Sequence, residues 1–203
     1  MPERFSVSPG RPSPLGASAC EDGVNLAVVS HSAERIFVCL FDQDNDREIA
    51  RLALPGRSDD DVHHAFIAGA GIGTRYGLRA DGPFDPARGH RFDPAKLLVD
   101  PYARWIDRPF VQHPDLAAPR AAAIDTARLV PKAIVGTPHP TASALPSRTP
   151  SFIYEIAVKA FSQRHPQIPA PLRGTVAALA HPRAIDHLLK LGIDTVELMP
   201  ITA

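Results

Sequence analysis

The 203 residues carry 22 Lys+Arg against 22 Asp+Glu, so the net charge is zero, and the clustered positive charge that nucleic acid or an anionic membrane demands is missing. With 44% hydrophobic and 22% charged residues, the chain has apolar material for one large domain or two small ones. Its two cysteines, Cys20 and Cys39, make neither a disulfide framework nor a metal ladder, so a reducing cytoplasm with no cofactor and no metal is expected. The opening MPERFSVSPGRPSPLG has no signal-peptide core, and the longest apolar run, Ile36–Phe41, is far short of the ~20 residues of a membrane span. A soluble protein is expected.

Proline divides the chain. Only Pro55 falls between Asp22 and Ala80, whereas prolines crowd the stretch from Pro109 to Pro150. In the first part, Val24–Ser30, Ile36–Phe41, Glu48–Leu54, Val62–Ala68 and Thr74–Ala80 read as short strands, rich in β-branched and aromatic residues. Turn residues separate them, the last turn being the Gly69/Gly71/Gly73 cluster, read as a hairpin. Five such strands with no crossover helix predict an antiparallel β-sandwich. Three Asp-Pro pairs follow, at Asp85, Asp93 and Asp100. Asp can cap early amides and Pro at the first helical position loses no needed donor, so Pro94–Leu98 and Pro101–Trp105 read as short helical turns. Residues 109–149 have no sustained period and read as a Pro-rich linker or long surface loop.

The third part changes rhythm. Phe152–Phe161 reads as a strand, nearly continuous in apolar character from Ile153 to Val158. His181-Pro182 opens a helix with Ile185, Leu188 and Leu189 on one face, and Gly192 ends it. Ile193–Met199 is a second buried strand, stopped by Pro200. Strand, helix, strand is one βαβ unit with an expected right-handed crossover. Alone it leaves one face and both edges uncovered, so further βα units are expected downstream.

The segments PGRPSPLGA, DGVNLAVVS, AERIFVCLFD, TRYGLRADGPFDPARGHRFDPAKLLVDPYA, IYEIAVKAFSQRHPQIPAPLRGT and HLLKLGIDTVELMP follow in order the opening of bacterial glycogen debranching enzymes. The chain thus resembles the isoamylase-like members of glycoside hydrolase family 13 from Pro9 onward, most weakly through Pro109–Arg148. The resemblance implies that residues 9–108 form an immunoglobulin-like family 48 carbohydrate-binding module. It implies that residues 150–203 are the truncated start of a (β/α)8 TIM barrel, namely its first strand, helix and second strand. The activity implied is hydrolysis of α-1,6 branch points of glycogen, in the cytoplasm. The family's nucleophilic Asp, acid/base Glu and stabilising Asp lie after the fourth, fifth and seventh barrel strands. No residue of this chain matches them, so no catalytic, substrate-binding or metal residue is assigned and the chain alone is expected to be inactive. The partners expected are an α-glucan and the remainder of the barrel, with no nucleic acid and no membrane. The alternatives are a non-catalytic glucan-binding or structural sandwich, or a decayed remnant. Ala157 stands where the family usually has His, and Val176 where it has an aromatic.

Several local features have two readings. His63-His64 could be a metal pair, but neighbours on a strand point to opposite faces, so one inward and one outward is preferred. Glu197 sits where barrel active sites open, with a supporting structural role at least as good an explanation. The three glycines imitate a phosphate loop but no strand-to-helix junction follows them. Trp105, Tyr102 and Phe84 could stack on sugar rings, with packing at the junction between domains weighed above that. Arg88–Phe92 could be a glucan contact, with a buttress of the same junction the simpler reading, and both cysteines read as small buried hydrophobes.

Overall fold

A computed structural model describes residues 5–44, 46–137 and 152–201. The chain divides into two compact units, Met1–Pro140 and Thr141–Ala203.

The first unit holds β1 (Ser6–Ser8), β2 (Gly16–Ala19), β3 (Gly23–Val29), β4 (Arg35–Phe41), β5 (Glu48–Ala53), β6 (Gly56–Arg57), β7 (Val62–Ala68), β8 (Arg75–Asp81), β9 (Phe84–Asp85), β10 (His90–Arg91) and β11 (Ala133–Ile134). Pairing is antiparallel throughout. One sheet runs β1-β7-β3-β2 with β6 also beside β7, the other runs β11-β8-β4-β5, and β9 with β10 forms a separate ribbon. Period-two alternation sends Val24, Leu26 and Val28 from the first sheet against Ile36, Val38, Leu40, Tyr76 and Leu78 from the second. The predicted antiparallel sandwich is therefore present. The glycine cluster is not a hairpin, because β7 and β8 lie in different sheets. Gly69 and Gly73, at φ 82° and 85°, let the chain step from one layer to the other.

The second sheet is also buried on its outer face. Cys39 and Phe41, pointing away from the sandwich core, form a second cluster with Leu97, Ala127 and Val130. This corrects the reading of residues 109–149 as a linker, at least as far as residue 137. Lys132 and Ala133 are fully buried, and Ala133 pairs with Tyr76 across β11 and β8. Residues 138–149 lie outside the described residues. Composition misled because this segment docks through isolated side chains and carbonyls rather than through a periodic face. The helical turns at Asp93 and Asp100 are also shorter than expected. Asp93 accepts the Ala95 amide at 3.0 Å and Asp100 the Tyr102 amide at 2.8 Å, so the Asp-Pro logic holds for one turn. Leu98 then exchanges two 2.8 Å backbone hydrogen bonds with Leu78, and that extended pairing ends the turn.

One side chain anchors the docked segment. Arg79, only 1% exposed, projects from the outer face of β8. It donates to the Pro94 and Ala95 carbonyls at 3.0 and 2.8 Å, to Glu48 at 3.1 Å, and to both oxygens of Asp125 at 2.8 and 3.0 Å. Beside it, a Cβ on Gly77 would stand 2.9 Å from Leu97, so only glycine admits that leucine to the sheet. Further along β8, Arg75 donates to the Asp42 carbonyl at 2.6 Å and to the carboxylates of Asp46 and Asp107. The buried Lys132 ammonium donates to the Ala127 and Val130 carbonyls at 2.5 and 2.7 Å and lies 4.9 Å from the Phe41 ring centroid.

The second unit is smaller. It contains β12 (Ile153–Ile156), α1 (Val158–Ser162), α2 (Pro182–Lys190) and β13 (Thr195–Leu198). β12 and β13 pair in parallel, with Glu155 opposite Glu197. The His181 ring caps α2 by accepting the Arg183 amide at 3.2 Å, and Gly192 closes it at φ 74°. The predicted strand Phe152–Phe161 is corrected: it ends at Ile156, and Val158 begins a helical turn in which Phe161 N–H bonds the Ala157 carbonyl at 3.0 Å. The strands are also less buried than their apolar run implied. Ile153, Tyr154 and Val196 are exposed, as are Ile185 and Leu189 of α2, and the unit's core is Ile168, Ala178 and Ala184. A nine-residue helix covers little of a two-stranded sheet.

Removing the Arg79 guanidinium in Arg79→Met strands two carbonyls and two carboxylates, one of them well exposed. The expected loss is about 3 kcal/mol in denaturant unfolding, and a loss below about 1 kcal/mol would refute the anchoring role. Burial raises the Glu48 and Asp125 pKa values, but hydrogen bonds from Arg51 and Arg79 outweigh it and hold both below their ordinary 4.5 and 3.8. Their contribution is present above those values and lost as pH falls through the lower folded ones. Acid unfolding of Arg79→Met should therefore be the shallower of the two below pH 4.5. In limited proteolysis read by mass spectrometry, the resistant fragment of the first unit should extend through Gly136. A fragment ending near residue 108 would restore the linker reading.

Candidate functional site

Two exposed aromatics and one cleft define the candidate site of the first unit. The turn at Asp100 carries Tyr102 outward and the chain then brings Trp105 to β11, where the Trp105 carbonyl accepts the Ile134 amide at 2.9 Å. Both side chains line a cleft of about 210 Å³ that also includes Ser18, Tyr76, Arg104 and Thr137. Each residue is set against a glycine, Trp105 through its ring and Tyr102 through its Cβ. A Cβ on Gly136 would fall 1.8 Å from the Trp105 ring, and one on Gly16 would fall 2.8 Å from the Tyr102 Cβ. Gly16 has φ 83°, a backbone that disfavours other residues in any case.

The floor of the cleft is held by a buried polar pair. The Tyr76 hydroxyl donates to Asp100 Oδ2 at 2.6 Å, while Oδ1 accepts the Tyr102 amide. Burial, then the negative charge of Asp100, pushes the Tyr76 hydroxyl pKa up, so Tyr76 is a permanent donor. One carboxylate thus fixes both the core tyrosine and the turn that presents Tyr102.

The other singled-out residues fall elsewhere. His63 is buried, its Nε2 3.3 Å from the Ser30 carbonyl, and burial lowers its pKa. His64 points the other way and packs on Gly56, where a Cβ would meet its ring at 2.1 Å. The inward and outward reading holds, and the pair cannot share a metal ion. Phe84 lies in β9 beneath the Arg120 guanidinium, 5.5 Å from the ring centroid, and does not line the cleft. Phe92 packs against Gly82, and Gly89 turns the β9–β10 ribbon at φ 85°. Burial pushes the Cys39 thiol up to about 12, which makes it inert. Cys20 is half-buried, with Sγ 3.7 Å from the Ser18 carbonyl. In the second unit, Glu155 and Glu197 are exposed neighbours across the parallel pair. Ala157 and Val176 line an open concavity beyond the carboxyl ends of β12 and β13, together with Gly174 and Met199. Arg104, Ser18 and the two supporting glycines were missed by sequence reasoning. No local pattern marks them, because strand β2, the Asp100 turn and β11 converge only in three dimensions.

Among known proteins, the family Carbohydrate-binding module 48 (Isoamylase N-terminal domain) matches residues 14–103. The chain is 44% identical over 97% of its length to the glycogen debranching enzyme of Yersinia enterocolitica serotype O:8 / biotype 1B, spanning 30% of that enzyme. Among solved structures it is similar to the catalytic module of the multi-modular glycogen-degrading pneumococcal virulence factor SpuA, with a TM-score of 0.59 at 21% identity, covering 96% of this chain and 28% of that one. It is likewise similar to the apo pullulanase of Paenibacillus barengoltzii, with a TM-score of 0.60 at 20% identity, covering 93% of this chain and 27% of that one. At such identities the two structures speak for the fold alone. Over residues 14–103 the chain is therefore similar to the carbohydrate-binding module 48 family, and as a whole it resembles a glycogen debranching enzyme of which it spans 30%.

Proposed function

We propose that this chain is the front portion of a cytoplasmic glycogen debranching enzyme, joining a glucan-binding module to the start of a catalytic barrel. The observation that carries this reading is the 44% identity along nearly the whole chain to an enzyme of that name. In this reading the sandwich is immunoglobulin-like, residues 150–203 supply the first strand, helix and second strand of a (β/α)8 barrel, and the remainder of the barrel is the partner. The parallel β12–β13 pair with α2 between them in sequence supports the barrel assignment. So do the exposed apolar residues of both strands, which six further βα units would cover. The module begins near residue 9; the docked Leu97–Ala133 segment supports moving its end from residue 108 to beyond Ala133.

Chemically, retaining hydrolysis of a glycosidic bond needs two carboxyl groups ~5–5.5 Å apart across the scissile bond. The resemblance puts those groups on barrel strands that this chain does not contain. Its contribution is to hold glucan and to template the barrel. A stand-alone binding module is the second reading, favoured by the separate hydrophobic core of the first unit.

Two measurements test the proposal. Incubated with glycogen or pullulan, the isolated chain should release no reducing ends; turnover above a no-protein control, in a preparation free of host amylases, would overturn it. In native gels containing glycogen, the chain should show a small retardation that free maltooligosaccharide reverses. Complete indifference to glycogen would remove glucan binding from the reading, and strong retardation would favour the stand-alone module.

A further inference from the structure

We propose that the cleft lined by Tyr102 and Trp105 is a binding subsite for one or two glucosyl residues of a neutral α-glucan, with Arg104 as its hydrogen-bonding arm. This rests on the glucan-binding reading above and assigns it a place. A pyranose ring presents apolar C–H faces and a rim of hydroxyls, so it is held by aromatic side chains with polar groups at their edges. The cleft offers that combination. Tyr102 and Trp105 are 53% and 39% exposed; the Trp105 ring rests on Gly136 and the Tyr102 Cβ on Gly16, so the Trp105 ring and the root of the Tyr102 side chain are set before any ligand arrives. Preorganised platforms lose little side-chain freedom on binding.

The polar groups suit hydroxyls. Arg104 is exposed and makes no hydrogen bond or ion pair among the described residues, which leaves a planar fork of donors for neighbouring hydroxyls. Ser18 and Thr137 add hydroxyls that both donate and accept. An anionic ligand such as a sugar phosphate fits less well. Among the described residues Arg104 is the one cation in the lining, and the Asp100 carboxylate accepts the Tyr102 amide. At about 210 Å³ the cleft is smaller than the roughly 300–1,000 Å³ of drug-sized ligand sites, as a site for one or two sugar rings should be.

Trp105 is the single tryptophan of the chain, so its fluorescence reports on this cleft alone. Titrating the 203-residue chain with maltotriose should give a saturable emission change with a millimolar midpoint. Tyr102→Ala retains the Cβ seated on Gly16 and the amide bound by Asp100, so it should fold; it should weaken the midpoint at least tenfold. Arg104→Ala, on the surface, should weaken it severalfold, and glucose 1-phosphate should give no saturable change. If glycogen retards the chain in gels while the tryptophan stays silent, or Tyr102→Ala binds as before, the subsite is overturned and the glucan-binding reading stands. If neither glycogen nor maltotriose has an effect, both fail. If glucose 1-phosphate saturates the signal and maltotriose does not, the cleft is an anion site and the proposal is wrong.

Discussion

A guanidinium buried on the outer face of a sheet is the interaction on which the first unit depends. Arg79 reaches two carbonyls and two carboxylates from three separate stretches of chain. A charge so enclosed is tolerable only with its donors satisfied and its countercharges close. Among the described residues one donor, Nε, has no hydrogen-bond partner, so the remaining bonds and the flanking carboxylates carry that satisfaction. The requirement works in both directions: the docked segment has little periodic apolar surface of its own, and the arginine gives it a place to end its carbonyls.

The same strand supplies the other conditions for docking. On β8, Arg75, Gly77 and Arg79 alternate outward while Tyr76 and Leu78 face the sandwich core. The outward set is two long cations with a glycine between them. The cations collect carbonyls and carboxylates, and the glycine leaves room for Leu97. A strand with one polar and one apolar face normally lies at a solvated surface. Here the polar face is interior, because its charges are matched by the segment that covers it.

This arrangement connects the core to the candidate site. The segment that Arg79 holds down at Pro94 and Ala95 continues into the Asp100 turn, where one carboxylate bonds both the core hydroxyl of Tyr76 and the amide that precedes the Tyr102 side chain. Trp105 is placed by pairing with β11, at the far end of the same docked stretch. The aromatic platforms are therefore positioned by the sandwich through buried polar contacts rather than by a flexible loop. In the second unit the balance is different: apolar strand residues are exposed and few contacts oppose them, as suits a piece whose burial depends on what packs against it.

Much of this was legible in the residues themselves. Alternating β-branched and aromatic runs located the five principal strands to within a residue or two, because strand burial imposes a period of two that sequence displays directly. His181-Pro182 and Gly192 marked both ends of α2 for local reasons of capping and positive φ, and the ordered motifs from Pro9 onward pointed by themselves to the debranching enzymes. The short strands β1, β6 and β11 were not legible, since two or three residues carry no period and their pairing is decided by the partner strand. Nor was the fate of residues 109–137, whose prolines and alanines read as a linker. They are ordered by Arg79, Gly77 and Lys132, residues whose local sequence says only that a strand is charged on one side. The Tyr102–Trp105 cleft belongs to the same class: its glycines, arginine and hydroxyls come from strands and turns far apart in the chain, and only the tertiary packing brings them to one place.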